Sequence, residues 1–305
     1  MVKKDKIEAD KLLEPIRPIY PFKSHFVDVH GYRYHYIEEG KGPHTIVLVH
    51  GNPTWSFMFR YLIAELSKDY HVIAVDHLGC GLSDKPQDYH YRLEDHIDNL
   101  ETLLLGKNLE KITLVLHEWG GPIAMGFAVR HSRRIEGLAI MNSFAFAMCK
   151  FSPWRILPFR IPFLDDKLVR EMNLLLGFAL HFGVVNPLPP LVKQGYRLPY
   201  RTYEDRAGIL GFVRDVPLGP EDASYEALLE VEHGLWRFRD HPVTIMWGMR
   251  DKLYNHSYLK CWTEHYPAAS VLELSDAGHY LQEDDPDAVL AHLRTFMKKV
   301  VNKED

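Results

Sequence analysis

The stretch LVLHEWGGPIAMG, residues 114–126, decides the fold. An apolar run stops at His117, a carboxylate follows at Glu118, and Trp119-Gly120-Gly121 open a helical pattern. A strand, a sharp turn with one reactive side chain at its tip, and glycines leading into a helix are the parts of a nucleophile elbow. The glycines are required because the helix packs close to the strand and a strained turn excludes side chains. Glutamate at the tip excludes serine-hydrolase chemistry. A carboxylate held there can attack an electrophilic carbon and form an ester or anhydride with the enzyme. Taken alone, Glu118 would equally suit a helix N-terminus, where the dipole favours an acid.

Outward from the elbow, short apolar runs alternate with helical patterns. TIVLVH (45–50), HVIAVDH (71–77), KITLVLH (111–117) and GLAIMNS (137–143) read as strands, separated by helices over 55–67, 92–105 and 121–131. SHFVDV (24–29) and YRYHYIEEG (32–40) read as an antiparallel hairpin around His30-Gly31. From about Phe146 to Arg239 prolines and aromatics crowd the chain, strand signals vanish, and residues 165–182 and 224–238 carry helical patterns. Alternation then returns with VTIMWGMRD (243–251), a helix over 257–266, SVLELSD (270–276) and a closing helix over 286–300. This order predicts an α/β-hydrolase fold: a mostly parallel eight-stranded sheet flanked by helices, with a helical cap inserted after strand 6. The expected division is an N-terminal arm (1–24), a first core part (25–145), the cap (146–239) and a second core part (240–305). An insertion at the carboxyl end of a strand covers the crevice where open α/β sheets bind ligands.

Composition narrows the partners. A net charge of −5, with 46% hydrophobic and 25% charged residues, gives no electrostatic reason to expect nucleic acid or an anionic membrane. Cys80, Cys149 and Cys261 are few and widely spaced, making neither a disulfide framework nor a metal cluster; a reducing, cytoplasmic location is expected. The charged, proline-broken start lacks the apolar core of a signal peptide. Residues 172–192 have the length of a membrane span, but Asn173, His181, Asn186 and the prolines at 187, 189 and 190 make a buried helix plus turn the better reading.

A nucleophilic carboxylate needs a base to activate water, and the base needs an orienting acid. SDAGHYLQED (275–284) offers His279 after the last strand, and MWGMRDKLY (246–254) offers Asp251 after the preceding one. Nucleophile, acid, histidine is the chain order expected of this fold. The other usual place for the acid holds Asn142 and Ser143, which favours Asp251; Asp276 reads as a turn residue. VHGNPTW (49–55) follows the third strand, where the fold supplies donors to developing negative charge. Asn52 offers its side-chain amide and its backbone N–H beside that of Trp119, and the Trp119 indole adds another donor. Trp55, Phe144 and Phe146 are expected to line the substrate pocket. Phe151, Trp154, Phe159, Phe163 and the apolar run 172–185 stand ready to extend it for long alkyl chains.

HGNPTW (50–55), DHLGCGLSDKP (76–86), HEWGG (117–121), GMRDKL (248–253) and DAGHYLQED (276–284) resemble the haloalkane dehalogenases and their relatives in the α/β-hydrolase superfamily. Residues 20–40 and 141–162 lean further and look like the β-lactone decarboxylases of long-chain olefin biosynthesis. The resemblance implies Glu118 as nucleophile, His279 as base and Asp251 as acid. Asn52 and Trp119 stand where a leaving halide or a lactone oxygen is held. It implies no cofactor or metal, a small apolar or lipid-derived substrate, and assembly with other olefin-pathway enzymes. The departure is Glu118 itself, because the family has aspartate there; misplacement by roughly 1 Å can cost about a hundredfold in rate. An adapted pocket, an impaired variant and a Glu118 acting as general base on water all remain open. So do an epoxide hydrolase using Tyr196, Tyr200 or Tyr203 and a non-catalytic scaffold member.

Overall fold

The computed structural model describes residues 2–147 and 157–302. Eight strands form one sheet: β1 (Ser24–Val29), β2 (Tyr32–Glu39), β3 (Thr45–Val49), β4 (His71–Val75), β5 (Ile112–Glu118), β6 (Ile135–Ser143), β7 (Val243–Gly248) and β8 (Ser270–Leu274). Their order is β1-β2-β4-β3-β5-β6-β7-β8. The β1–β2 and β2–β4 pairs are antiparallel, and every pair from β4 to β8 is parallel. β3 and β5 are buried along their whole length, as Val/Ile/Leu-rich strands covered on both faces must be.

Alternation along β5 sorts the core into two layers. Leu114 and Leu116 pack with Ile97, Leu100, Ile123 and Phe127 from α3 (Leu93–Gly106) and α4 (Gly120–Arg130). Val115 packs with the opposite set, which includes Leu62 and Ile63 of α2 (Arg60–Leu66) and Val289 and Leu293 of α12 (Pro286–Val301). Each side chain so buried contributes roughly 1.5–3 kcal/mol. A one-residue register slip in β5 would exchange the two layers and move Glu118 off the sheet edge.

Three expectations change. The N-terminal arm contains a helix, α1 (Val2–Leu13), and Leu13, Ile16, Tyr20 and Phe22 are buried in the second layer. The helical pattern over 165–182 is interrupted: α5 (Leu164–Asp166) runs into a π-turn over Lys167–Glu171, and α6 (Leu174–Phe182) starts afresh. Asn173 sits between them at φ 52, a left-handed conformation that asparagine tolerates and that apolar periodicity does not reveal. Cys80 is a buried free thiol while Cys261 is disulfide-bonded, against the expectation that the cysteines make no disulfide framework. Cys149, Phe151 and Trp154 lie outside the described residues. Helices α7 (Pro190–Arg197), α8 (Ala207–Arg214) and α9 (Tyr225–Gly234) complete the described part of the β6–β7 connection, and α10 (His256–His265) and α11 (Leu281–Asp284) flank β8. No described helix is long and apolar enough to cross a membrane.

Candidate active site

β5 extends to Glu118, whose φ of 54 lies in the left-handed region. For a non-glycine residue that conformation costs on the order of 1–3 kcal/mol and persists only where surroundings enforce it. Here they do. The Ser143 hydroxyl donates to the Glu118 carbonyl at 2.6 Å. A Cβ on Gly120 would overlap the Val49 carbonyl, and one on Gly121 would overlap the Ser143 hydroxyl. The glycine pair thus lets α4 start against β3 and β6, leaving the glutamate at the tip.

The Glu118 carboxylate is engaged at both oxygens. Oε2 accepts the backbone N–H of Asn52 at 2.7 Å and that of Trp119 at 2.6 Å. Oε1 accepts the Tyr254 hydroxyl at 3.0 Å. The two backbone donors expected to face a substrate oxygen are therefore taken up by the Glu118 carboxylate itself. Burial pushes its pKa up to about 7; hydrogen bonds from Trp119, Asn52 and Tyr254 and the nearby His279 charge restrain the rise without cancelling it. A Cβ on Gly51 would collide with Oε2, so the 49–55 loop needs glycine there to approach the carboxylate.

Asp251 and His279 meet as expected: His279 Nδ1 lies 2.7 Å from Asp251 Oδ2. Asp251 Oδ1 accepts the backbone N–H groups of Leu253 (2.7 Å) and Tyr254 (3.1 Å), and Oδ2 also accepts the Asn142 amide at 2.9 Å. Asn142 is itself clamped, accepting the Gly248 N–H at 2.7 Å. The residue in the alternative acid position thus hydrogen-bonds the aspartate that pairs with His279. Asp276 pairs with Arg250 at the exposed surface instead. Burial pulls the His279 imidazole down, but the charge and hydrogen bond of Asp251 and the charge of Glu118 outweigh it, so its pKa is raised.

Glu118, Trp119, Asn52, Asp251 and His279 all line one cavity of about 1060 Å³, with an otherwise mainly apolar wall that includes Phe144, Phe146, Phe159, Leu174, Phe178 and Phe182. The Trp119 indole N–H makes no hydrogen bond among the described residues, whereas the Asn52 amide donates to the Ile209 carbonyl at 3.2 Å. Two expected wall residues lie elsewhere. Trp55 is fully buried with its ring stacked 5.4 Å from Phe57 and its indole N–H donated to the Gly195 carbonyl at 3.2 Å. It closes the junction beneath α7 and is not among the cavity's lining residues. Phe163 is 93% exposed.

The tyrosines considered for an epoxide are spent on other partners: Tyr196 donates to Glu283, Tyr200 to the Thr54 carbonyl and Tyr203 to Asp166. None of the three lines the cavity. Tyr254, by contrast, touches Glu118 and escapes a reading by motif. Its one signal is its place three residues after Asp251, in a loop that must fold back across the site.

Residues 44–286 match the family model of the alpha/beta hydrolase fold, and the chain belongs to that family. Within it, the chain is 41% identical over 285 residues to a cis-3-alkyl-4-alkyloxetan-2-one decarboxylase of Shewanella oneidensis, covering 92% of this chain and 89% of that one. A decarboxylase of the same name from Xanthomonas campestris is 34% identical, over 92% of this chain and 98% of the relative. Haloalkane dehalogenases are more distant; haloalkane dehalogenase 2 of Mycobacterium tuberculosis is 28% identical over 91% of this chain and 96% of its own. The crystal structure of the haloalkane dehalogenase DbeA from Bradyrhizobium elkani superposes with a TM-score of 0.83 at 26% identity, covering 92% of this chain and 99% of that one.

Proposed function

We propose that this protein is a decarboxylase that converts a cis-3,4-dialkyl-β-lactone into a cis-alkene and carbon dioxide, with Glu118 as nucleophile. The observation that carries this reading is the Glu118 carboxylate lining a mainly apolar cavity of about 1060 Å³, in a chain 41% identical to an oxetanone decarboxylase. That volume lies at the upper end of ordinary ligand pockets, roughly 300–1,000 Å³, and suits two alkyl tails better than a small haloalkane. The described helices between β6 and β7 supply much of the wall, and we assign residues 146–239 to a cap over a core of 25–145 and 240–305, with 1–24 as an arm.

In the reaction, Oε1 attacks C4 of the lactone, the alkyl-bearing ring carbon bonded to the ring oxygen. The new ester bond forms as the carbon–oxygen bond breaks, with inversion, and the ring opens to a carboxylate. Oε2 becomes the ester carbonyl oxygen, still held by the Asn52 and Trp119 N–H groups. The bond to the released carboxylate then breaks as carbon dioxide leaves; its electron pair forms the alkene and expels Glu118 as a carboxylate. Inversion followed by anti expulsion preserves the cis relation of the tails, and neither water nor a proton is consumed. The Trp119 indole N–H is the donor available to the opened carboxylate. Protonated His279, oriented by Asp251, pairs with the same charge.

Haloalkane dehalogenation is a second reading, favoured by the Asp251–His279 pair itself. Its histidine is oriented to activate water against an ester on Glu118, a step the decarboxylation does not need. We place the decarboxylase in contact with the enzyme that forms its water-insoluble lactone.

The test is product analysis with a long-chain cis-β-lactone for the unaltered protein, Glu118→Asp and Glu118→Gln. Alkene from the first two and none from Glu118→Gln is expected. Alkene from Glu118→Asp alone would mean that the longer arm disables the site. No alkene from either would end the lactone reading and make halide release from a bromoalkane the next assay.

A further inference from the structure

We propose that Tyr254 is a positioning residue that acts through Glu118, pinning the longer carboxylate arm for attack and stabilising it again as it leaves; the proposal rests on Glu118 being the nucleophile. Glutamate has one more rotatable bond than aspartate, and in a wide cavity that freedom works against a reactive geometry. Two backbone N–H groups fix only Oε2. Oε1, the oxygen left to attack, has Tyr254 as its partner at 3.0 Å.

Tyr254 is built to be rigid. It is 2% exposed, and its ring stacks on Phe144 (centroids 5.7 Å apart, 11° between planes) and on His279 (5.5 Å, 23°), with Tyr258 edge-on at 5.1 Å. Its backbone is held as well. The N–H donates to Asp251 Oδ1 at 3.1 Å, and the carbonyl accepts the Trp247 indole N–H at 3.1 Å. One residue therefore ties the acid loop to the nucleophile. Burial and the neighbouring Glu118 charge raise the phenol's pKa well above its ordinary value, so it stays a donor.

A carboxylate oxygen carries more than one lone pair, so a hydrogen bond to Oε1 leaves another for attack. That bond weakens as Oε1 becomes the alkyl-bearing oxygen of the ester and strengthens again as the carboxylate is expelled. The phenolic O–H is never broken; Tyr254 gives a hydrogen bond, not a proton.

The test places Tyr254→Phe in the unaltered protein and in Glu118→Asp, with thermal melting to verify that all four proteins fold. In the glutamate background, kcat for alkene formation is expected to fall roughly ten- to hundredfold, with KM little changed and the acid limb of the pH profile displaced upward. With the shorter aspartate the phenol loses its partner, and Tyr254→Phe is expected to change kcat by less than about threefold on the same reasoning. Equal losses in both backgrounds, or a changed KM with an unmoved pH profile, would overturn the proposal and leave Tyr254 as wall. A readout independent of substrate is the titration of the Glu118 carboxyl by carbon NMR: its pKa should rise in Tyr254→Phe. An unchanged titration refutes the contact whatever the substrate. A raised pKa in a protein that makes no alkene would instead leave the contact standing and refute the lactone reading.

Discussion

The molecule holds two buried histidine–aspartate pairs of nearly the same geometry. His279 Nδ1 lies 2.7 Å from Asp251, and His35 Nδ1 lies 2.7 Å from Asp76. Both carboxylates also accept two backbone N–H groups; for Asp76 these come from Ser56 and Leu82, each at 2.8 Å. The difference is at the far nitrogen. His35 and Asp76 are fully buried, and His35 Nε2 is enclosed without a partner. His279 lines the cavity with Glu118. Asp76 is held near a pKa of about 2, because the charges of His35 and His50 and its hydrogen bonds outweigh burial. It joins the loops after β3 and β4, and the Ser56 it anchors stands four residues from Asn52. A histidine–aspartate pair is thus no mark of catalysis by itself; what the second nitrogen faces decides.

The largest effect is expected at Glu118, the group that only one pair faces. Glu118→Gln should lower turnover by roughly 10⁴-fold or more, as loss of a nucleophile does, while the protein still folds. It should also change the pH dependence of stability. The Glu118 carboxyl has a folded pKa of about 7 against an ordinary value of 4.5, so the native state binds its proton more tightly than the unfolded chain. Its stabilising contribution is complete below about pH 4.5 and is lost as pH rises through about 7. Melting between pH 5 and 8 should therefore show a decline in the unaltered protein that is reduced in Glu118→Gln; equal slopes would contradict the raised pKa.

Asp251→Asn sharpens the contrast between reactions. Loss of the orienting acid costs about 10⁴-fold where histidine must take a proton from water, so hydrolysis of a bromoalkane should show a loss of that order. Decarboxylation, which takes no proton from water, should lose far less. Parallel rate measurements on the two substrates check this, and equal losses would argue that His279 serves as a base in both.

How much of this was legible in the chain follows from where each signal resides. The strand and helix order was readable because burial on both faces leaves unbroken apolar runs in β3 and β5, and because the glycines at 120 and 121 have no other use. Asp251 and His279 were readable because each stands directly after a strand. Trp55 was misplaced because an aromatic beside a motif fits a core as well as a pocket, and local pattern cannot say which way its ring turns. Asn173 hid a helix break because apolar periodicity continues across it. Tyr254 was missed because its meaning lies in a contact 136 residues away in the chain, created only when the 251–255 loop folds over the elbow.

The second pair can be broken without touching the chemistry. Asp76→Ala removes the charge beside His35 and leaves the Ser56 and Leu82 N–H groups unsatisfied, a loss of about 3–5 kcal/mol for a buried pair. Denaturant unfolding should report that loss while activity per folded molecule falls only a few-fold, the reverse of Asp251→Asn. The smallest effect should come from Asn142→Ala. It deletes the amide 2.9 Å from Asp251 Oδ2, and one hydrogen bond to a charged group should change bromoalkane hydrolysis by roughly tenfold. Because Asn142 acts only through Asp251, the loss should vanish when Asp251→Asn is already present. A full tenfold loss in the double variant would mean that Asn142 supports the sheet edge, through its hydrogen bonds to Gly248, and not the acid.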